Sequence, residues 1–126
     1  MSKFKIGQLY SRKEIGSKLG GSQQAYLPFK DGVVLCGCFR RNPENPSAPN
    51  EVLVGSSPVV KASAELVSRQ KEPIPVFIFR DYRKWEFMGE YVCKEFSRNP
   101  TLIRQKEREN PRRGSICGVL HFERSS

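Results

Sequence analysis

The sequence predicts one small α+β domain, residues 1–126, built as a curled β-barrel with about three short helices. The chain length fits a single hydrophobic core and leaves little room for a second. Apolar residues make up 37% and charged residues 28% of the chain, a composition typical of folded globular proteins. Apolar segments of strand length alternate with short helical segments and turn residues, which favours a sheet curled on itself with helices at its ends.

The N-terminal third predicts a helix, a turn and a strongly apolar strand. A helix over residues 10–20 is indicated because Ser11 and Glu14 have the spacing of a capping box and a Gly-Gly pair ends the segment. The Asp-Gly pair at 31–32 favours a tight hairpin turn. Residues 32–39 form a nearly continuous apolar run, which predicts a strand buried on both faces.

The next segment predicts a pocket between two strands. Residues 40–50 contain three prolines and three asparagines and therefore form a loop, whereas residues 51–55 form a short strand. We expect the 32–39 and 51–55 strands to lie side by side. The proline-rich loop between them is too irregular to pair throughout, so it would form a lip over a concave pocket.

The C-terminal half predicts two helices and three strands. One helix covers residues 59–71, and another runs from Pro100 to about residue 110 with Asn99 as its N-cap. Strands are expected over 75–82, 85–96 and 115–124. In the first of these helices, Ala62, Leu66 and Arg69 follow helical spacing. Those expected to share one face of each of the last two strands are Trp85, Phe87, Tyr91 and Cys93, and Ile116, Gly118, Leu120 and Phe122.

The chain carries a large excess of positive charge. Lys and Arg number 22 against 13 Asp and Glu, which gives a net charge of +9. Such an excess attracts polyanions, and nucleic acid is the commonest polyanion inside cells. A basic domain without a nucleic-acid partner is the alternative. The residues predicted to bind phosphate are Arg12, Lys13, Lys18, Arg40, Arg41, Arg104, Lys106, Arg108, Arg112 and Arg113.

The sequence favours a binding module over an enzyme. His121 is the single histidine, and it lies inside a predicted strand without the motif of a partner nucleophile. Neither a P-loop nor a G-x-G-x-x-G motif occurs. Carboxylates mostly adjoin a basic residue, as in Arg80-Asp81 and Lys94-Glu95, which is typical of a solvated surface. We therefore expect no catalytic residues and no cofactor.

The four cysteines predict buried thiols without a metal. Cys36, Cys38, Cys93 and Cys117 lie in apolar segments that favour strands, where cysteine packs as a small hydrophobic residue. A zinc site of four sulfur ligands is the alternative, although structural zinc sites more often use C-x2-C pairs.

The sequence predicts an intracellular protein without a membrane partner. No apolar run approaches the roughly 18 residues of a membrane span. Residues 1–7 lack the apolar centre of a signal peptide. We expect a cytoplasmic location, or a nuclear one if the source is eukaryotic.

Three segments carry a resemblance to a known family. Tyr10–Gln24 holds a helix that ends in Gly-Gly and leads into a loop with two glutamines. Val33–Phe39 is a strand of small residues ending in an aromatic, followed by a polar loop and by Glu51–Gly55. Trp85–Tyr91 has an aromatic followed by Met-Gly-Glu-Tyr. The first two segments resemble the SRA-like domains of McrA-like modification-dependent restriction endonucleases, and the third resembles a strand of several domains of the PUA-like superfamily.

The resemblance implies a PUA-like, SRA-type barrel that binds a modified base flipped out of duplex DNA. Its role would be in a defence or restriction system, with any nuclease on another domain or chain. Phe39 stands where the family has tyrosine, Asn42 where it has an acidic residue, and Leu53-Val54 where it has Tyr-Thr. Because asparagine both donates and accepts hydrogen bonds, the pocket does not require cytosine. An RNA-binding PUA-like module and a basic protein-interaction domain are the alternatives.

The candidate base pocket combines stacking residues, residues that bond the base edge and small residues. Aromatic stacking and edge hydrogen bonds would offset the cost of flipping a base. The predicted stacking residues are Tyr26, Phe39 and Trp85, and the predicted edge-bonding residues are Gln23, Gln24 and Asn42. Gly37 and Cys38 are small enough for the backbone to approach a base, and Val54 lies on the second pocket strand.

Overall fold

The structure is a computed structural model that describes residues 3–42 and 44–125, with the side chain of Arg112 outside the described part. The described residues form the helices α1 (Arg12–Leu19), α2 (Pro58–Arg69) and α3 (Pro100–Glu109). Their strands are β1 (Leu9–Tyr10), β2 (Phe29–Lys30), β3 (Val33–Val34), β4 (Gly37–Phe39), β5 (Glu51–Gly55), β6 (Ile74–Asp81), β7 (Lys84–Ser97) and β8 (Ile116–Arg124). A 3₁₀ turn, Pro111–Arg113, leads from α3 towards β8.

The helix starts follow the local pattern of the sequence. Ser11 Oγ accepts a hydrogen bond from the Glu14 backbone N at 3.0 Å, and Glu14 Oε1 accepts one from the Ser11 backbone N at 2.9 Å. The predicted capping box is thereby confirmed. Asn99 Oδ1 accepts from the Thr101 backbone N at 2.9 Å and caps α3, also as predicted. Within the described chain, no helix combines the length and the apolar character that crossing a membrane would need.

Helix α2 has a buried stripe on one face. Ser63, Ala64 and Val67 are buried, whereas Ala62 and Arg69 are exposed. The helical spacing of Ala62, Leu66 and Arg69 predicted the helix itself, and the structure confirms that helix. The buried stripe begins with two small residues, which let the helix approach the sheet closely.

The main sheet has the strand order β4-β6-β7-β8-β5, and β1 also pairs with β7. Strand β4 runs parallel to β6, while the other neighbours are antiparallel. Strands β2 and β3 form a separate hairpin. Its loop residues Asp31 and Gly32 have φ angles of 53° and 77°, the left-handed conformation that the predicted Asp-Gly turn requires.

The prediction of a single 32–39 strand lying beside the 51–55 strand is wrong in both parts. The first segment divides into β3 and β4, and β4 pairs with β6. Strands β4 and β5 therefore lie at opposite edges of the sheet. Phe39 of β4 nevertheless packs in the same core as Val52 and Val54 of β5. The sheet thus curls until its two edges face each other across that core, which confirms the predicted curled architecture.

A β-bulge changes the face of the sheet onto which the side chains of β7 project. The register between β6 and β7 shifts between Val76 and Phe77, because Met88 is an extra residue on β7. An extra residue moves all later side chains to the opposite face. The predicted common face of β7 is therefore wrong: Trp85 and Phe87 pack in one core, and Tyr91 and Cys93 in another.

Strand β8 contains a similar irregularity. Its register with β5 shifts between Val54 and Gly55. Ile116 consequently packs with Leu53 and Val119 on one side of the sheet. Leu120 and Phe122 pack in the core on the other side, so the predicted common face of β8 holds only after the bulge.

Candidate functional site

A concave pocket of about 1010 Å³ opens where the C-terminal ends of β4 and β6 meet the start of α1. Because β4 and β6 are parallel, their C-terminal residues lie at the same end of the two strands. The pocket is large for a ligand site, for which roughly 300–1,000 Å³ is usual. We call it the aromatic–basic pocket. Its lining residues are Ser11, Arg12, Lys13, Gln23, Gln24, Tyr26, Cys38, Phe39, Arg40, Glu44, Asn45, Phe79, Tyr82, Arg83 and Trp85.

One wall of the pocket alternates aromatic rings and guanidinium groups. Phe79 and Trp85 face each other across β6 and β7, with ring centroids 5.2 Å apart in an edge-to-face arrangement. The Arg40 guanidinium lies 4.0 Å from the Phe79 centroid and 5.5 Å from the Trp85 centroid. Arg12 lies 5.3 Å from the Trp85 centroid. These cation–π contacts hold flat, positively charged groups at the pocket surface, where they suit a flat ring or a phosphate.

Arg12 also fixes the loop that carries the two glutamines. Its Nη2 donates to the carbonyl oxygens of Ser22 and Ala25 at 3.0 and 2.8 Å. The far end of the loop is tied to β4, because the Cys38 backbone N donates to the Tyr26 carbonyl at 2.8 Å. The loop is therefore held at both ends, and Gln23 and Gln24 stand exposed at the pocket rim.

The pocket is strongly positive. Its lining contains the cations Arg12, Lys13, Arg40 and Arg83 and the single carboxylate Glu44. None of these four cations takes part in an ion pair among the described residues. The start of α1 adds the positive end of a helix dipole. An anionic ligand would thus meet positive charge that the protein itself does not neutralise.

Asn45 is a pocket residue that the sequence analysis did not single out. It is buried, at 6% exposure, in the loop between β4 and β5. Its Oδ1 accepts from the Leu53 backbone N of edge strand β5 at 2.7 Å. Its own backbone N donates to the Arg40 carbonyl at 3.0 Å. Asn45 therefore links the two edges of the curled sheet, and it also lines the pocket.

The structure brings most of the predicted base-pocket residues together. Six of them line the aromatic–basic pocket, namely Gln23, Gln24, Tyr26, Cys38, Phe39 and Trp85. Asn42 instead lines a separate depression with Arg41 and Arg113. Val54 is fully buried in the core, and Gly37 is buried beneath the ring of Phe39. A methyl group on Gly37 would meet that ring at 2.6 Å, so glycine here makes room for Phe39 itself.

Phe39 and Tyr26 are mainly core residues with one side towards the pocket. Phe39 is only 1% exposed and packs against Phe122, with ring centroids 5.8 Å apart. The Tyr26 hydroxyl donates to the Val60 carbonyl of α2 at 2.6 Å. Burial raises the pKa of Tyr26 to about 12, so its phenol is neutral at physiological pH. Trp85 is likewise buried, at 5% exposure, whereas Arg40 is exposed and is therefore better placed than these rings to touch a ligand.

The predicted phosphate-binding residues fall into three groups. Arg12, Lys13 and Arg40 line the pocket. A second group is engaged within the protein: Arg41 donates to Ala48 O, Arg113 donates to Leu53 O, Lys106 pairs with Glu51 and Glu109, and Lys18 lies over the ring of Phe4. Arg104 and Arg108 are exposed on α3, and the Arg112 side chain lies outside the described part of the chain.

Three further pocket residues come from the β6–β7 hairpin. Phe79 packs on Trp85, and Tyr82 and Arg83 form the hairpin tip at the pocket rim. Strand alternation and the cross-strand pairing of Phe79 with Trp85 could have identified Phe79. The position of the tip depends on how the sheet curls, which no local pattern indicates.

The cysteines do not gather into a metal site among the described residues. Cys36 Sγ and Cys38 Sγ lie 4.0 Å apart, both buried. Their contact lowers the pKa of Cys36 and raises that of Cys38. Cys93 Sγ contacts the Glu95 carbonyl and Cys117 Sγ the Gly55 carbonyl instead. In the part of the chain that the structure describes, no group of three or more His, Cys, Asp or Glu residues could hold a metal ion.

The strand order, the curled sheet and the three helices define a small curled α+β barrel. A solved structure with this fold is that of the SUVH5 SRA domain in complex with hemimethylated CG DNA, which superposes with a TM-score of 0.58. The match covers 98% of this chain and 90% of that chain at 12% sequence identity, so it establishes the fold alone. No protein-family model matches the chain, and neither does any curated protein sequence.

Proposed function

We propose that residues 1–126 form one nucleic-acid-binding module whose aromatic–basic pocket takes a modified base flipped out of duplex DNA. The observation that carries this proposal is the pocket wall in which Arg12, Trp85, Arg40 and Phe79 alternate. The shared fold supports it, because the SUVH5 SRA domain was solved on hemimethylated CG DNA.

The pocket chemistry suits a nucleobase. Extruding a base from a duplex costs a few kcal/mol, and stacking on an aromatic side chain returns roughly 1–3 kcal/mol per base. The amide groups of Asn45, Gln23 and Gln24 supply donors and acceptors for the base edge. Together these interactions are large enough to offset extrusion.

The charge around the pocket suits the phosphate backbone. Lys13 and Arg83 lie at the pocket with Arg12 and Arg40, and the whole chain carries a net charge of +9. Phosphate contacts position a protein on a duplex, whereas base contacts specify the sequence or modification. In this proposal the basic rim positions the duplex and the aromatic wall selects the base.

The chain acts as a binding module in this proposal, without a cofactor or catalytic residue of its own. Among the described lining residues, Glu44 is the carboxylate and histidine is absent. A defence or restriction role would need a nuclease on another domain or chain, which this chain would direct to modified DNA inside the cell.

A binding screen tests the proposal. Duplexes of one sequence would carry cytosine, 5-methylcytosine, 5-hydroxymethylcytosine or N6-methyladenine, with a matched RNA duplex and an RNA hairpin loop. We expect at least tenfold tighter binding to one modified DNA duplex than to its unmodified counterpart. Equal affinity for all DNA duplexes would contradict the proposal, and preference for the RNA loop would favour the RNA-binding alternative.

A matched pair of variants locates the interaction. Arg40→Ala removes a guanidinium that stacks on Phe79 at 4.0 Å inside the pocket. Arg98→Ala removes one that stacks on Phe96 at 4.9 Å outside it, although Arg98 also pairs with Glu65. We expect only the first substitution to reduce the preference for the modified duplex.

A further inference from the structure

Two cysteine thiols lie side by side at the wall of the aromatic–basic pocket. Cys36 Sγ and Cys38 Sγ are 4.0 Å apart, and a disulfide bond would bring them to about 2 Å. Gly37 separates the two residues in the chain and gives the backbone the freedom that such a closure needs. Cys93 and Cys117 each contact a carbonyl oxygen instead, so among the described residues these two thiols form the one close pair.

The pair lies next to the pocket and is shielded from bulk solvent. Cys38 lines the pocket and is 3% exposed, whereas Cys36 is fully buried in the core that also contains Trp85. A bulky thiol reagent or a second protein would not reach these sulfur atoms. Hydrogen peroxide is small enough to reach them through the pocket. The arrangement therefore favours a disulfide within the chain over one between two chains.

Arg12 supplies a positive charge to the thiols and has a spare hydrogen-bond donor. The hydrogen bond between the two sulfur atoms lowers the pKa of Cys36 and raises that of Cys38, burial raises both pKa values, and the charge of Arg12 lowers both. Arg12 Nε is buried and has no hydrogen-bond partner among the described residues. A neighbouring cation stabilises a thiolate, which is the form of cysteine that a peroxide oxidises. Cys36 is thus the member of the pair that carries the thiolate.

We propose that Cys36 and Cys38 form a peroxide-sensitive dithiol whose closure to a disulfide rearranges the aromatic–basic pocket. The Cys36 thiolate attacks one oxygen of hydrogen peroxide, the O–O bond breaks, and hydroxide leaves and takes up a proton as Cys36 becomes a sulfenic acid. The Cys38 thiol then loses its proton, attacks the sulfenic sulfur and displaces the hydroxyl group as water. In total, two thiols are oxidised to one disulfide and one peroxide is reduced to two water molecules.

Closure would act on the pocket through β4 and the loop that carries the glutamines. The Cys38 backbone N donates to the Tyr26 carbonyl at 2.8 Å, and this bond ties the loop to β4. Drawing the two sulfur atoms together by about 2 Å displaces Cys38 relative to that carbonyl. The disulfide also removes the thiolate that attracts Arg12, which holds the rest of the loop and contacts Trp85. The effect on binding rests on the proposed function, whereas the formation of the disulfide does not.

Peptide mapping tests the disulfide in the full wild-type chain. The protein is exposed to a small excess of hydrogen peroxide, and the remaining thiols are alkylated under denaturing conditions. Trypsin cuts after Lys30 and Arg40, so both cysteines of the pair fall in the peptide 31–40. We expect this peptide to lose two hydrogen atoms, to escape alkylation and to regain both thiols with dithiothreitol, while Cys93 and Cys117 stay alkylated. Full alkylation of the 31–40 peptide, a sulfinic acid in place of the disulfide, or oxidation of all four cysteines at one rate would overturn the proposal.

A binding assay tests the effect on the pocket. The reduced wild-type protein should prefer one modified duplex, lose that preference when oxidised and recover it with dithiothreitol. Cys36→Ala should keep the preference after the same peroxide treatment, because Cys38 then has no partner thiol. Cys93→Ala, at another buried cysteine, is the control and should respond like the wild type.

The two assays separate this inference from the proposed function. If the disulfide forms and the oxidised protein keeps its preference in full, control of the pocket is overturned and the proposed function stands. If the reduced protein shows no preference for any modified duplex, the proposed function and the control of the pocket fail together. The peptide map alone decides whether the dithiol closes.

Discussion

Asn45→Ala should destabilise the fold and reduce the preference of the pocket for a modified duplex. The substitution removes the Oδ1 atom that accepts from the Leu53 backbone N at 2.7 Å, and Leu53 is only 4% exposed. A buried donor left without an acceptor costs about 1–3 kcal/mol. For a chain of this length about 1 kcal/mol corresponds to ~4 °C in melting temperature, so we expect a decrease of about 4–12 °C.

Thermal unfolding followed by circular dichroism measures this change directly. Asn42→Ala is the matched control, because Asn42 lies in the same loop but is exposed, and it should stay within about 0.5 kcal/mol of the wild type. The same Asn45 variant should lose preference for a modified duplex at a temperature where it remains folded. A melting temperature equal to that of Asn42→Ala would refute the view that Asn45 joins the two edges of the sheet.

The other predictions concern pH, charge and metal. Burial raises the pKa of Tyr26 to about 12, whereas the tyrosine pKa in the unfolded chain is about 10. The contribution of Tyr26 to stability should therefore be constant below pH ~10 and fall between pH ~10 and ~12. Tyr26→Phe should flatten that decline when melting temperatures are measured across this pH range. Lys106→Ala should leave the salt dependence of DNA binding unchanged, because its ammonium is paired with Glu51 and Glu109, whereas Arg40→Ala should reduce the slope of log K against log salt by about one. Addition of a chelator should not alter the melting temperature, and a stoichiometric zinc signal from purified protein would restore the four-sulfur alternative.

The local elements could be predicted from the sequence because their determinants are close in the chain. The capping box of Ser11 and Glu14 and the Asp-Gly hairpin at 31–32 each depend on a few adjacent residues. The curled α+β architecture was also predicted, because the order of apolar strands, short helices and turns restricts how these elements can pack into layers. These features appear in the structure as predicted.

The order of the strands and the faces of β7 and β8 could not be predicted in the same way. Pairing of β4 with β6 joins segments about 40 residues apart, and spacing within either segment does not indicate the partner. The bulge at Met88 changes the face of Tyr91 and Cys93 on β7, and nothing in the alternation pattern marks it. Each predicted common face was therefore correct only on one side of its bulge.

The same limit applies to the candidate site. Gln23, Gln24 and Trp85 were found from aromatic and amide residues near the motifs, and the structure places them at one pocket. Asn45, Phe79 and the Tyr82-Arg83 tip were missed because the curl of the sheet brings them there. Phe39 was expected to stack on a base, but its burial among core residues makes Phe39→Ala a test of folding more than of binding.

The emission of Trp85 tests the central claim most directly. Trp85 is the only tryptophan of the chain, and it lies in the pocket wall between Arg12 and Arg40. A base that enters the pocket should quench its fluorescence in a saturable titration with one flipped base per protein. We predict this quenching with the preferred modified duplex and not with the unmodified duplex at a concentration that gives equal occupancy. Equal quenching by both duplexes, or none by either, would contradict a base-binding pocket at Trp85.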